Sequence, residues 1–261
     1  MLREIIEPLL ERVEKPARYI GGELGSVVKS PGQVSARFAF CFPDLYEIGM
    51  SHLGMKILYS LKNAREDIWC ERVFAPAADM EAEMRTQGVP LYGLESLEPV
   101  KSFDFIGFSL QYEMSYTTVL NMLDLAGLPV RSAQRTGLAP IVIAGGPCAC
   151  NPEPLADFVD LFVLGEGEEV NLELIDLYIR AKDEGWGKEE FLRRAAGIEG
   201  VYVPALYSVS YNEQGIVSEI TPTQGVPAKV RKRIVAEIDK TFFPERFVIP
   251  FIDIVHDRSI L

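Results

Sequence analysis

The stretch Ile141–Cys148 constrains the fold of this chain more than any other. It reads Ile-Val-Ile-Ala-Gly-Gly-Pro-Cys, an apolar run that passes directly into a Gly-Gly-Pro turn. A second run of this kind, Leu161–Glu168, reads Leu-Phe-Val-Leu-Gly-Glu-Gly-Glu. Buried strands that end in glycine bring backbone N–H groups to the carboxyl edge of a parallel sheet, where open α/β sheets bind ligands. The two stretches therefore predict a parallel sheet with a ligand crevice at their ends.

Strands alternate with helices through the middle of the chain. Apolar runs predict strands at residues 34–42, 67–75, 102–110, 138–144 and 160–164. Helical patterns separate these runs, and this alternation predicts a parallel sheet covered by helices on both faces. We therefore expect an α/β fold, a five-stranded, doubly wound, flavodoxin-like or Rossmann-like sheet over residues 34–184. We expect the loops after strands one, three, four and five to line its ligand crevice.

Two flanking regions complete the predicted organisation. Residues 1–33 contain an amphipathic helix over residues 2–14, followed by an arm rich in Gly, Ser and Pro. Residues 185–261 contain a short helix, a β-hairpin with its turn at Asn212–Gly215 and a charged connector over residues 221–245. The apolar segment Val248–His256 lies near the chain end. An apolar segment in this position is expected to pack against a further part of the protein. We therefore expect this chain to be a fragment cut at a domain boundary.

The charge balance and the hydropathy pattern exclude several classes of partner. The formal net charge is −12, so direct binding of nucleic acid is disfavoured. Lys229–Arg233 is the one basic cluster, and we interpret it as a solvated linker or strand end in preference to a binding patch. No apolar run approaches the ~20 residues that cross a bilayer, and acids interrupt the N-terminal apolar pattern. We expect a cytoplasmic protein without a membrane partner.

Common catalytic motifs are absent. The chain has no G-x-S-x-G, P-loop or H-E-x-x-H pattern, and its histidines are His52 and His256. The four cysteines are too few and too scattered for a disulfide framework. The pair Cys148 and Cys150 has two interpretations, a metal or redox site and small filler beside a turn, and the second is favoured. The acids after Gly165 suit a helix N-terminus but would repel a phosphate.

Several separated blocks resemble one family. Gly107–Leu110, Ile143–Pro147 and Leu164–Glu168, in this order and spacing, resemble the cobalamin-binding domain at the N-terminus of radical SAM enzymes. Phe42–Gly54, Phe108–Glu113 and Gly145–Pro154 resemble one poorly characterised subfamily of these proteins more closely, and the resemblance covers most of the chain. It implies a domain that holds cobalamin at the carboxyl edge of its sheet.

The resemblance also implies a set of cofactor-binding residues. In the family, Ser-x-Leu-like and Gly-Gly segments contact the nucleotide tail, and glycine leaves room for the tail between loop and sheet. Carried over to this sequence, the set is Asp44, Gly49, Met50, Ser51, His52, Ser109, Leu110, Gln111, Gly145, Gly146, Pro147, Gly165, Glu166 and Gly167.

Two departures from the related motifs limit what the chain does by itself. The Asp-x-His-x-x-Gly motif of cobalamin mutases is absent, because Met50 takes the Asp position and the glycine comes one residue early. We therefore expect cobalamin without a histidine ligand, with His52 as axial ligand the less favoured alternative. The radical SAM signature C-x-x-x-C-x-x-C is also absent. The iron–sulfur cluster and S-adenosylmethionine would belong to a downstream barrel of the same polypeptide, and this chain alone would not catalyse.

Two other functions stay open. The first is a ligand-free structural or protein-interaction domain, which bulky side chains near the crevice favour: Tyr46, Met50, Tyr112 and Met114. These could occupy the place of the corrin, and an open crevice would count against this reading. The second is a domain that binds a flavin or a nucleotide, against which the acidic loops argue.

Overall fold

The computed structural model of the protein describes residues 2–249. The strands are β1 (Ala36–Phe42), β2 (Ile68–Phe74), β3 (Phe105–Ser109), β4 (Ile141–Gly145), β5 (Leu161–Val163), β6 (Val201–Tyr202), β7 (Tyr207–Tyr211) and β8 (Val217–Pro222). The α-helices are α1 (Leu2–Leu10), α2 (Tyr46–Ser51), α3 (Leu53–Asn63), α4 (Ala78–Gln87), α5 (Tyr116–Leu125), α6 (Gly167–Glu184) and α7 (Lys188–Ala195). Helices separate successive strands from β1 to β6, as the sequence predicts, except that two short 3-10 helices take the place of an α-helix between β4 and β5.

The main sheet has six strands in the order β2-β1-β3-β4-β5-β6. The first five pair in parallel, and β6 pairs antiparallel with β5. The predicted α/β class with a mostly parallel sheet is therefore confirmed. The expected strand count of five is corrected to six, because Val201 and Tyr202 pair with Val163 and Phe162 and extend the sheet beyond residue 184.

The strand order places a crevice at one point of the sheet. From β1 the chain moves outward to β2, and then returns to the other side of β1 to build β3, β4 and β5. The loops after β1 and β3 therefore leave the sheet in opposite directions, which opens a gap at the carboxyl edge between them. All seven residues of β1 and of β2 are buried, as expected for strands that helices cover on both faces.

The segment after β1 forms two helices instead of the single predicted one. His52 separates α2 from α3 with an extended backbone, φ −80° and ψ 118°. Its Nδ1 accepts a hydrogen bond from the Met55 N–H at 3.2 Å, which caps α3. A Cβ on Gly49 would lie 2.3 Å from a ring carbon of Phe74, so glycine allows α2 to pack against β2.

Parts of both flanking regions pack against the sheet domain, whereas the β7–β8 hairpin is largely exposed. The N-terminal helix ends at Leu10, short of the predicted residue 14. The β7–β8 hairpin is present, with its turn at Asn212–Gly215, and the connector after it returns to the main sheet. Val248 is buried, and its carbonyl accepts the Gly25 N–H at 2.9 Å. Residues 250–256 of the apolar segment, including His256, lie outside the described residues.

Candidate functional site

A groove of about 300 Å³ lies between α3 and α6, over β1, β3, β4 and β5. It extends from the middle of these strands to their carboxyl ends. Its lining consists of Phe38, Phe40, His52, Gly54, Leu58, Gly107, Phe108, Ser109, Gln111, Ile143, Gly145, Gly146, Pro147, Val163, Gly165, Glu166, Gly167, Glu168 and Asn171. The groove therefore occupies the position where the sheet topology predicts a ligand.

The floor of the groove is made by residues that face one side of the sheet. Phe40, Gly107 and Ile143 are cross-strand partners on β1, β3 and β4. A Cβ on Gly107 would lie 2.4 Å from Cζ of Phe38, so the absence of a side chain lets the Phe38 ring lie across β3. Together with Val163, these residues give an apolar floor of the kind that binds a flat aromatic group.

The two glycines after β4 have different roles. Gly146 has φ +96° and ψ −180°, a conformation that is essentially restricted to glycine, and its Cβ would lie 2.7 Å from the carbonyl oxygen of Leu110. Gly145 meets nothing closer than the Val163 carbonyl oxygen at 3.7 Å. Glycine at 146 is therefore required for the loops after β3 and β4 to interlock. At Gly145 the space above the backbone belongs to the groove.

The connector closes the groove at β5. The Arg233 N–H donates to the Leu164 carbonyl at 2.7 Å, and the Glu166 N–H donates to the Arg233 carbonyl at 3.1 Å. Gly165 has φ +99°, and its Cβ would lie 2.1 Å from that Arg233 carbonyl oxygen. The Arg233 guanidinium also pairs with Glu169 at 2.6 Å. Arg233 is thus part of a bridge beside β5, in agreement with the strand-end interpretation of the basic cluster.

Hydrogen bonds within the protein fix the acidic turn at the start of α6. The Glu166 carboxylate accepts the Val235 N–H. Asn171 Nδ2 donates to the Gly167 carbonyl at 2.6 Å. Glu166 is the N-cap residue of α6, but its side chain caps no helix N–H. This turn shapes the wall of the groove and presents carboxylates to it.

Polar side chains stand at the β3 end of the groove. Gln111 Nε2 donates to Ser109 Oγ at 2.7 Å, and both residues line the cavity. Their amide and hydroxyl groups are suited to orient a ligand that lies on the apolar floor. His52 lines the same cavity, with its ring centroid 5.4 Å from that of Phe42. The Nδ1 atom of His52 caps α3 and is therefore not a ligand atom for a metal.

Three predicted residues of α2 lie outside the groove lining. Met50 is 3% exposed, and its sulfur accepts a hydrogen bond from Arg72 at 3.4 Å. Gly49 packs against Phe74, and Ser51 Oγ donates to the Glu47 carbonyl within the helix. The sequence places them near the crevice because they follow β1, but α2 turns toward β2 and carries them away from the cavity.

Asp44 and Leu110 also lie outside the groove lining. Asp44 accepts the Tyr112 O–H at 2.5 Å, which links the loops after β1 and β3. Leu110 is buried, and its backbone N–H donates to the Gly145 carbonyl at 2.7 Å. Both residues therefore hold loops that border the groove, and neither contacts its interior.

The bulky residues expected to fill the crevice do not line it. Tyr46 and Met50 are buried in the core, and the Tyr46 O–H donates to Glu23 at 2.8 Å. Tyr112 is 41% exposed and Met114 is 84% exposed. The groove is consequently open, and the main argument for a ligand-free domain loses its support.

Sequence reasoning missed about half of the lining. The residues outside the predicted set are Phe38, Phe40, Gly54, Leu58, Gly107, Phe108, Ile143, Val163, Glu168 and Asn171. One signal was available for the floor. Phe38 and Phe40 are two residues apart on a strand, so they share one face. Which face the groove occupies depends on how α3 and α6 pack, and this is not a local property of the sequence.

Neither a membrane span nor a metal-ligand cluster occurs among residues 2–249. No helix within them is long and apolar enough to cross a bilayer. The same residues contain no group of three or more His, Cys, Asp or Glu side chains that could hold a metal ion. Cys148 is partly buried and Cys150 is exposed in the short turn after β4, and both are free thiols.

Comparison with known proteins identifies the family of this fold and groove. Residues 54–204, more than half of the chain, match the family model described as radical SAM proteins, N-terminal. An uncharacterized protein of Methanocaldococcus jannaschii is 28% identical over 141 residues, which are 53% of this chain and 26% of that protein. The chain thus spans about a quarter of that relative's length, and no solved structure matches it. The chain belongs to the family of radical SAM N-terminal domains.

Proposed function

We propose that this domain binds cobalamin and serves as the accessory N-terminal part of a radical SAM enzyme. The observation that carries the proposal is the open groove at the topological switch point. Its volume of about 300 Å³ is at the lower end for small-molecule sites. It is too small for a whole corrin and suits the nucleotide tail, a flat base with its sugar.

The lining has the chemistry that such a tail requires. Phe40, Ile143 and Val163 offer an apolar surface for the base, and Ser109 and Gln111 supply hydrogen-bonding groups. The missing side chain at Gly145 leaves space between the strand end and the loop. His52 Nδ1 accepts the Met55 N–H, so Nε2 carries the proton in the neutral ring, and this tautomer supports cobalamin that is bound without a histidine ligand.

The chain's own task in this proposal is to hold and orient. Cobalamin supplies a cobalt centre for methyl transfer or for radical chemistry in the complete enzyme. The iron–sulfur cluster and S-adenosylmethionine are proposed for a downstream barrel, because the four cysteines of this chain lack the C-x-x-x-C-x-x-C spacing. Residues 34–184 would carry the groove, residues 1–33 would brace it, and residues 185–261 would lead toward the barrel.

Retention of cobalamin by the purified chain tests the proposal. The chain is incubated with hydroxocobalamin and desalted, and then cobalt per chain and the visible spectrum are measured. We expect about one cobalt per chain, with a spectrum that lacks the signature of a histidine ligand. Absence of retained cobalt would overturn cobalamin binding by this chain and favour a ligand-free interaction domain. A retained yellow chromophore in the untreated protein would favour a flavin.

A further inference from the structure

Lys62 places an amine next to the groove, inside the protein. It lies near the end of α3 with 0% of its surface exposed. Met55, Tyr59 and Lys62 follow one another at helical spacing on the buried face of this helix. An ammonium group therefore occupies a position of the kind that apolar residues usually fill.

The amine contacts two aromatic rings of the groove. Its Nζ lies 4.5 Å from the ring centroid of Phe38 and 5.0 Å from that of Phe40, and both rings line the cavity. Within the described part of the chain, Nζ has no hydrogen-bond partner. The amine thus contacts two side chains that line the cavity, although Lys62 is not itself among the lining residues.

Two other lysines of the domain are well partnered, Lys29, which is partly buried, and Lys188, which is buried. Lys29 Nζ donates to three backbone carbonyls, at 2.5 to 3.1 Å. Lys188 Nζ donates to the Arg135 carbonyl and pairs with Asp160 at 2.9 Å. Lys62 has only the two rings and more distant charges. Cation–π contacts compensate part of the desolvation of an ammonium, and an anion would compensate far more.

The charged residues around the groove also indicate that an anion would compensate the buried amine. Its described lining contains the carboxylates of Glu166 and Glu168, and no Lys or Arg. Burial lowers the pKa of Lys62 to about 8, although the carboxylate of Glu168 on α6 acts to raise it. Within the described part of the chain, Lys62 is the cation that contacts the Phe38 and Phe40 rings of the floor.

We infer that the groove takes a phosphate-bearing ligand and that Lys62 is the buried counter-charge for that phosphate. The inference rests on the proposed function, because the nucleotide tail of cobalamin carries a phosphodiester. Attraction between opposite charges does not require direct contact, since the interior has a low effective dielectric constant. Lys62 would act as a specificity-determining residue that favours a nucleotide over the corresponding nucleoside.

Two fragments of the tail test the inference without the corrin. Calorimetry compares binding of α-ribazole phosphate with binding of α-ribazole, which lacks the phosphate. We expect the wild-type chain to bind the phosphate form about tenfold more tightly, equivalent to about 1.4 kcal/mol. In Lys62→Met, which keeps an unbranched side chain one atom shorter and removes the charge, this preference should disappear while the fold, monitored by circular dichroism, is unchanged.

The control variant is Lys56→Met. Lys56 lies on the same helix, is also buried and contacts the Phe247 ring at 4.9 Å, outside the groove lining. The Lys56→Met variant loses the same charge as Lys62→Met and should keep the preference for the phosphate form. The inference is overturned if the wild-type chain binds both fragments equally, binds neither, or if Lys62→Met keeps the preference. Failure to retain hydroxocobalamin together with an intact phosphate preference would overturn the cobalamin proposal alone.

Discussion

The groove and the arginine–glutamate cluster at β2 use buried polar groups in opposite ways. In the cluster, Arg37 pairs with Glu71 at 2.5 Å, and Arg72 pairs with Glu95 at 2.7 Å and with Glu23 at 2.6 Å. Burial raises the pKa of Glu71 and Glu95, a property often associated with catalytic acids. Yet these carboxylates are fully paired, and neither lines the groove.

The groove has few charged groups and an open volume. Its floor is aromatic and aliphatic, and the one buried cation beside it lacks a hydrogen-bond partner within the described residues. The comparison teaches that shifted pKa values alone do not locate the functional site of this domain. An open groove with a buried charge that lacks a hydrogen-bond partner is the better indicator of the functional site. The following predictions test this distinction by perturbing each region in turn.

Breaking the cluster should have the largest effect on stability. Arg72→Met leaves Glu95, which is completely buried, without its counter-charge. The free energy of unfolding should fall by about 3–5 kcal/mol, as measured by urea denaturation. The control is Arg85→Met, because Arg85 pairs with Glu81 and Asp124 at the surface and should lose less than about 1 kcal/mol. Equal losses for both variants would contradict a structural role of the cluster.

The adjacent glycines after β4 should respond differently to alanine. Gly146→Ala forces a side chain into a glycine-only conformation and against the Leu110 carbonyl, so the free energy of unfolding should fall by about 1–3 kcal/mol. Gly145→Ala meets only ordinary contacts and should change it by less than about 1 kcal/mol. A similar loss for both variants, measured by urea denaturation, would show that Gly145 does not face open space.

Removing the amine of Lys62 should stabilise the protein. A buried amine without a hydrogen bond destabilises the folded state, and its two cation–π contacts offset only part of this effect. Lys62→Met should therefore raise the free energy of unfolding by about 1–2 kcal/mol at pH 7.

The pH dependence of the free energy of unfolding tests whether the buried amine of Lys62 is charged. Burial lowers the pKa of Lys62 from 10.5 to about 8, so the destabilisation is complete below pH 8. The wild-type chain should gain stability relative to Lys62→Met as the pH rises from about 8 to 10.5. Urea denaturation at a series of pH values measures the difference between the two chains. A constant difference over this range would contradict a buried ammonium.

Much of the fold could be predicted from local patterns. The five parallel strands appear as apolar runs, and α6 begins where the Gly-Glu-Gly turn ends. The extra strand β6 has only two residues, so its pairing with β5 depends on a long-range contact. The division of α2 from α3 was missed because His52 caps α3 with its side chain, although histidine is not among the preferred N-cap residues.

The candidate site was only partly predictable, for a related reason. Strand ends such as Ser109 and Gly145 are visible in the sequence, since the carboxyl edge follows from a parallel sheet. The packing of Arg233 against Gly165 joins residues far apart in the chain, and no local pattern indicates it. Lys62 did have a signal, because a lysine interrupts the apolar face of α3 at helical spacing. Its lack of a hydrogen-bond partner required the structure.

Cobalt retention by a groove-filling variant tests the central claim most directly. Gly145→Val adds a branched side chain at a groove-lining position where a Cβ meets nothing closer than 3.7 Å, and Gly187→Val adds the same group where a Cβ has nothing within 4 Å. After incubation with hydroxocobalamin and desalting, we expect about one cobalt per chain for the wild-type protein and for Gly187→Val, and at least tenfold less for Gly145→Val. Equal retention by all three chains would show that cobalamin, if it binds, does not use this groove.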